Sequence, residues 1–261
     1  MRFSVLASSS SANATFVEAG GVRLLIDAGL RCKPLEERLQ AIGVAPNSLD
    51  GILITHEHTD HIQGVARFVK KYPMPVFANE NTAEVIARIC QQNAQPVPEF
   101  GFFESNFSFN FGDLTITPQQ IPHDTAEPVG YLLSDGEHTL GYFTDLGFVP
   151  AHVSNAIPHC DALILESNYD PQMLRTSNRP FSLISRISGR SGHLSNEQAC
   201  ETIATYASER LKSLTLAHLS TECNDPNLVQ ALMKATLKTI QRTDIALTIA
   251  RPDAATPIEV L

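Results

Sequence analysis

Thr55-His56-Glu57-His58-Thr59-Asp60-His61 places three histidines and one aspartate within six positions, directly after the apolar run Gly51-Ile52-Leu53-Ile54. A short apolar run bounded by polar residues reads as a buried strand, here Gly51 to Thr55. A helix through Val65, Phe68 and Val69 follows. Imidazole and carboxylate are ligands that suit zinc and its neighbours. A loop between a strand end and a helix can fold so that His56 and His58 face one ion while Asp60 and His61 face another. With nine histidines and twelve aspartates in the chain, chance would produce H-x-H-x-D-H about once in two thousand such sequences.

Such a centre needs partners from elsewhere. Asp27 ends the apolar strand Val22 to Asp27, and His123 follows a strand in Gln120-Ile121-Pro122. Asp145 ends Gly141-Tyr142-Phe143-Thr144, and His218 ends Leu214 to Ala217. Singly, each is an ordinary strand-ending or capping residue. Together they put one ligand-type side chain at the carboxyl end of each strand, as a shared site at one sheet edge requires.

The remaining pattern is strand-rich with interspersed helices. Short strands are expected at Phe3 to Ala7, Thr15 to Glu18, Val76 to Ala78, Phe107 to Phe111, Leu114 to Thr117, Val129 to Leu133, Thr139 to Phe143, Ala162 to Leu165 and Ile245 to Ile249. Helices are expected at Pro34 to Ile42, Thr82 to Gln92, Phe181 to Ile187, Asn196 to Tyr206 and Asn227 to Ile240. This suggests sheets packed face to face with helices outside. No Pro/Ser/Gly-rich linker divides the 261 residues, so one domain spanning 1–261 is expected. The content is 43% hydrophobic and 18% charged, which excludes wholesale disorder. A net charge of -9 argues against an overall basic coat for duplex nucleic acid or anionic membrane. No apolar run approaches the ~18 residues of a membrane helix. Met1 to Ala7 has too short an apolar stretch for a signal peptide and reads as a first strand. Five cysteines without paired spacing suit a reducing compartment, so a cytoplasmic location is expected.

The H-x-H-x-D-H run, with its upstream Asp and downstream His, Asp and His, resembles the metallo-β-lactamase superfamily over about residues 3 to 223. The resemblance implies an αββα sandwich, an α+β four-layer fold, with a two-metal site at the sheets' edges. By position, His56, His58 and His123 would hold one metal and Asp60, His61 and His218 the other. Asp145 would bridge them, and Asp27 would lie behind them, orienting the ligand loop. Two divalent ions are implied, with zinc the default and manganese or iron also fitting such ligands.

Within that superfamily the chain is most similar to the bacterial exonuclease branch called YycJ or WalJ. The similarity lies in Ala7-Ser8-Ser9-Ser10-Ser11-Ala12-Asn13-Ala14-Thr15, Leu25 to Gly29, Glu166-Ser167-Asn168, Ser191 to Asn196, and Leu216 to Ser220 followed by Glu222-Cys223-Asn224. Ser9 and Ala12 stand where the branch usually has glycine, and Tyr169 stands where a histidine is expected. The resemblance implies a phosphodiesterase, a 5′-to-3′ exonuclease on DNA. It would act by attack of a metal-bridged hydroxide, with Asp60, Asp145 and His193 as the catalytic side chains. DNA would be the partner, with no membrane and no obligate protein partner.

Substrate cues lie in Ser191-Gly192-His193-Leu194-Ser195. A small-residue turn, a histidine and a helix start capped by Ser195 or Asn196 make an anion site. The resemblance to long-form nucleases of the superfamily, which carry a similar Ser-Gly-His motif on substrate phosphate, implies that His193 serves the scissile phosphate. Between Asp170 and Glu197 there is no acid, while Arg175, Arg179, Arg186 and Arg190 add four positive charges. Arg186 and Arg190 are one turn apart, on or beside one helix face, and guanidinium matches phosphate geometry. His138, His152 and His159 read as surface or turn residues. The competing readings are a small-molecule hydrolase of the same fold (cyclic phosphodiesterase, thioesterase or lactamase) and a non-enzymatic binding module. The 73 residues that separate Asp145 from His218 are too few for the cap domain of long-form RNA-processing relatives.

Overall fold

The structure, a computed structural model, describes residues 1–261. Its first sheet contains β1 (Arg2–Ala7), β2 (Ala14–Ala19), β3 (Val22–Ile26), β4 (Gly51–Leu53), β5 (Val76–Ala78) and β6 (Phe100–Phe102). The second contains β7 (Phe109–Phe111), β8 (Leu114–Gln120), β9 (Val129–Ser134), β10 (Thr139–Phe143), β11 (Ala162–Glu166), β12 (Ser213–Ala217) and β13 (Ala246–Ile249), and β14 (Glu259–Val260) returns to the first sheet beside β1. Each sheet has seven strands, in the orders β14-β1-β2-β3-β4-β5-β6 and β13-β12-β11-β10-β9-β8-β7.

Side-chain alternation along the strands makes three apolar layers. Leu24 and Ile26 of β3 pack with Leu53, Leu114, Tyr131, Ala162 and Ile164 between the sheets. Leu25 faces the other way, against α1 (Cys32–Ala41), α3 (Val65–Lys71) and α4 (Glu80–Gln92), where Leu35, Leu39, Phe68 and Ile86 pack. Leu163 and Leu165 of β11 likewise face α5 (Ala151–Ala156), α8 (Asn196–Tyr206) and α9 (Pro226–Thr239) through Val153, Ile203, Val229 and Met233. Strands covered on both faces must be apolar on both, which is why VRLLI and ALILE read as continuous runs. Burying each such leucine contributes ~1.5–3 kcal/mol. The result is a four-layer αββα sandwich.

The direction of the strands positions the site. β3, β4, β5 and β6 are mutually parallel, as are β10, β11, β12 and β13. Two antiparallel steps, β10 to β9 to β8, return β8 to the direction of β10. Carboxyl ends of β3, β4, β8, β10, β11 and β12 therefore emerge at one rim, where open α/β sheets place their ligands. The sheets are fastened at that rim: the Tyr131 hydroxyl donates to the Ile54 carbonyl, and Val129 N–H donates to Thr55 O at 3.0 Å.

The expected strands Val76 to Ala78 and Thr139 to Phe143 and the helices Phe181 to Ile187 and Asn196 to Tyr206 have the observed limits. β4 stops at Leu53, earlier than expected, because Ile54 and Thr55 turn to meet β9. β8 continues past Pro118 to Gln120. Its neighbour β7 pairs only as far as Ile116, so the missing N–H of Pro118 interrupts no ladder. β6, β14, α2 (Thr59–Ile62), α5 and α6 (Pro171–Thr176) have no counterpart among the expected elements. All are six residues or shorter, too short to display a period. No helix is long and apolar enough to cross a membrane.

Candidate active site

Three strand ends at the rim share a conformation that L side chains seldom adopt. Asp27, Asp145 and His218 have φ of 61°, 60° and 56°. Each turns its side chain inward at a cost of roughly 1–3 kcal/mol, strain that persists where surrounding structure over-determines it. Around Asp27 that structure is explicit. Its carboxylate accepts from Thr55 N–H at 2.9 Å, from Thr55 Oγ1 at 2.8 Å and from His61 Nδ1 at 2.7 Å. Asp27 is fully buried and holds Thr55 and His61 from behind.

The hydrogen bonds fix the imidazole tautomers. An ionised carboxylate or a carbonyl oxygen can only accept, so the ring nitrogen facing it carries the proton. His61 Nδ1 faces Asp27, His218 Nδ1 faces Glu166 Oε1 at 2.8 Å, and His123 Nδ1 faces Gly192 O at 3.2 Å. Thr55 Oγ1 has given its own proton to Asp27 and can accept from His56 Nδ1 at 3.0 Å. In each of these four rings Nε2 is the nitrogen turned away from that partner. Imidazole nitrogens and the Asp60 carboxylate converge in two groups. His56, His58 and His123 form one, Asp60, His61 and His218 the other, with ligand atoms in each group within 4.8 Å of one another. Asp145 lies between, with Oδ2 3.4 Å from His61 Nε2 and Oδ1 3.4 Å from His218 Nε2 and 3.9 Å from His123 Nε2.

Burial and charge differ between the groups. Burial pushes His56 well below its usual pKa and also lowers His58 and His123, so these are neutral imidazoles, the form that binds metal. Burial also disfavours charge on His61 and His218, but Asp145 with Asp27, and Asp145 with Asp60 and Glu166, outweigh it. His61 is held well above the usual range and His218 is raised to about 10. His56 Nε2, His218 Nε2 and Asp145 Oδ2 are buried polar atoms with no hydrogen-bond partner. Unpartnered buried polar atoms are costly, and here they aim at common centres from a nitrogen/oxygen donor set. The residues therefore fit divalent metal ions.

Glu166 is the residue that sequence reasoning left without a role, although its motif was noticed. It is fully buried at the end of β11. Oε1 accepts from both His193 Nδ1 and His218 Nδ1 at 2.8 Å, and Oε2 accepts from Leu146 N–H and Leu194 N–H. Burial raises its pKa, but the two imidazoles prevail and hold it well below the carboxylate range. One carboxylate thus holds both His193 and a member of the second group. Asn13 is a second such residue: its side-chain amide lies 3.2 Å from Asp60 Oδ2 and 3.1 Å from His61 Nε2. The available signal for both was a polar residue beside a buried-type strand, which is common at ordinary strand ends.

His193 is partly exposed on the open side of Glu166, and Ser195 caps α8 in a full capping box with Gln198. The arginines are less free than the charge count suggests. α7 (Phe181–Ile187) ends before Arg190, so Arg186 and Arg190 do not share a helix. Arg186 pairs with Asp124, next to His123, and Arg179 pairs with Glu222. Arg190 lies 4.2 Å from the centroid of the Phe148 ring. Arg175 meets only the Pro171 carbonyl. His138, His152 and His159 stand apart from the cluster.

The two glycine replacements are locally absorbed. Neither Ser9 nor Ala12 has a positive φ. Ser9 N–H donates to Asn13 Oδ1 at 3.2 Å, and the Ser9 and Ser11 hydroxyls meet at 2.7 Å. Tyr169 packs with Leu174, Ile187 and Cys223 in a small apolar cluster.

Residues 22–215 match the family model described as a Beta-lactamase superfamily domain. Exodeoxyribonuclease WalJ of Streptococcus pneumoniae serotype 2 (strain D39 / NCTC 7466) is 32% identical, covering 98% of this chain and 97% of that protein. Exodeoxyribonuclease YycJ of Bacillus anthracis is 34% identical over 91% and 89%. Among solved structures, the metallo-β-lactamase fold protein YhfI from Bacillus subtilis superposes with a TM-score of 0.72 at 17% identity, over 98% of each chain. The short form of human tRNase Z gives 0.68 at 15% identity over 100% of each.

Proposed function

Because this chain belongs to the metallo-β-lactamase superfamily, in the branch of the exodeoxyribonucleases WalJ and YycJ, we propose that it is a metal-dependent phosphodiesterase that degrades DNA from its 5′ ends. The observation that carries the reading is the single rim at which two His/Asp groups share Asp145, with His193 set beside them by Glu166. His56, His58 and His123 would hold one ion, Asp60, His61 and His218 a second, and Asp145 would contact both. The donors are nitrogen and oxygen without thiolate, and we take zinc as the resident ion. When bound, such ions acidify water near neutral pH and draw charge from phosphoryl oxygens.

The chain's own residues do the rest. Asp27 and Glu166 hold His61 and His218 with their Nε2 lone pairs inward. The Gly192 carbonyl does the same for His123 and couples it to the loop that carries His193. With Nδ1–H donated to Glu166, His193 presents Nε2 to the substrate side. From there it can hold a non-bridging phosphoryl oxygen, and in its imidazolium form it can pass the Nε2 proton to the departing 3′ oxygen. No side-chain nucleophile is required. All five cysteines are free, which fits the cytoplasmic location we assign.

The test is digestion of single- and double-stranded DNA and RNA carrying defined, end-labelled 5′ termini, with zinc, manganese or iron added. Stepwise release from the 5′ end of DNA is expected. Efficient lactam or thioester turnover with intact DNA would overturn this reading in favour of a small-molecule hydrolase.

A further inference from the structure

Several arginines of this acidic chain are committed to carboxylates: Arg2 and Arg23 to Glu18, Arg210 to Asp161 and Arg242 to Asp244. Arg31 and Arg67 are exposed and make no ion pair. Both line a groove of about 360 Å3 completed by Cys32, Gln63 and Gln95. None of the five lining residues is acidic. The nearest carboxylate on α1, Glu36, is already paired with Lys71 at 2.9 Å and accepts from the Cys32 thiol at 3.1 Å. Burial and Glu36 push that thiol up to about 11, so it is neutral and offers neither a nucleophile nor a metal ligand.

The groove is joined to the rim by the backbone. Gln63 follows Asp60 by three positions at the end of α2, so their side chains are neighbours, about 5–6 Å apart at Cβ. The segment leading to Arg31 is locked to the same helix. Ala28 N–H donates to His61 O and Gly64 N–H donates to Ala28 O, both at 2.8 Å. Gly29 passes so close that a Cβ there would lie 1.6 Å from Asp60 O. Two uncommitted guanidiniums and two carboxamides form a donor set for phosphate oxygens, with no aromatic or apolar surface to read a base.

We propose that the Arg31–Arg67 groove binds backbone phosphates of the DNA strand a few nucleotides from the bond being cut. This rests on the exonuclease reading above. It gives an acidic protein a local cationic hold on its polymer and lies on the Asp60 side of the centre.

The experiment compares the metal-loaded parent, R31Q/R67Q and, as a charge-matched control on α9, K234Q/K238Q. Affinity for an oligonucleotide protected by terminal phosphorothioates is titrated against salt, and turnover of bis(p-nitrophenyl) phosphate is measured beside it. R31Q/R67Q is expected to bind DNA about tenfold or more weakly, with a log–log salt slope shallower by roughly two, one per lost contact. Small-substrate turnover and metal content should stay at the parent's values. Unchanged DNA affinity, an equal loss in the control, or a parallel loss of small-substrate turnover would each overturn the groove assignment. A parent that digests DNA while R31Q/R67Q binds it normally overturns the groove alone. A parent that neither binds nor digests DNA overturns the exonuclease reading and the groove together.

Discussion

At the level of single residues, one carboxylate between two groups of donors is the most exposed point of failure. Asp145→Ala removes the carboxylate that lies between the two groups. Hydrolysis should fall about a thousandfold or more, while the circular dichroism spectrum stays native. Undiminished activity would contradict a shared role. Glu166 makes a different prediction, because it acts through two imidazoles. Glu166→Gln replaces an acceptor with an amide and disturbs His193 and His218 together. Activity should drop about 10–100-fold with a measurable loss of bound metal. His193→Ala should lower phosphodiester turnover by about 100-fold or more with metal content unchanged. Metal analysis alongside kinetics separates the two, and equal metal loss in both variants would remove His193 from the substrate side.

At the level of elements, the second donor group depends on how α2 is seated. Its four residues carry Asp60 and His61 and are too few to be stable alone. The helix is held by Asn13 N–H donating to Asp60 O, by Ala28 N–H donating to His61 O, and by the close approach of Gly29. Gly29 is needed there for space, since its φ is not positive. Gly29→Ala would push α2 outward. We expect a folded protein destabilised by about 1–3 kcal/mol, with bound metal falling toward one ion per chain. Full metal content in that variant would show that α2 tolerates displacement.

At the level of the whole molecule, the rim gathers largely buried acids and imidazoles that face one another. Removing the ions leaves His56 Nε2, His218 Nε2 and Asp145 Oδ2 buried without partners. Chelation should therefore lower the thermal midpoint. Loading at a thousandfold over the dissociation constant is worth about 4 kcal/mol, which for a chain of this size corresponds to roughly 10 °C. Re-addition of zinc should restore it, as followed by calorimetry before and after dialysis against chelator. An unchanged midpoint would mean that the rim is fully stable without ions and that the metal reading fails.

Much of this protein is determined along the chain itself. The run His56 to His61 is local, so its chemistry is legible where it stands. Leu24-Leu25-Ile26 and Leu163-Ile164-Leu165 are apolar on both faces because the strands are covered twice, and that pattern is also written in sequence. Asp27, His123, Asp145 and His218 were legible as strand-ending ligand types because parallel strands bring their carboxyl ends to one edge. Tertiary structure alone decided that Glu166 serves two histidines at once, that Asn13 reaches the second group, and that Arg186 is bound to Asp124 while Arg31 and Arg67 remain free. Those facts depend on distances between segments tens of residues apart. A hydrogen bond or ion pair exists only within a few ångströms, and the chain fixes such distances only once both sheets and their helices have packed.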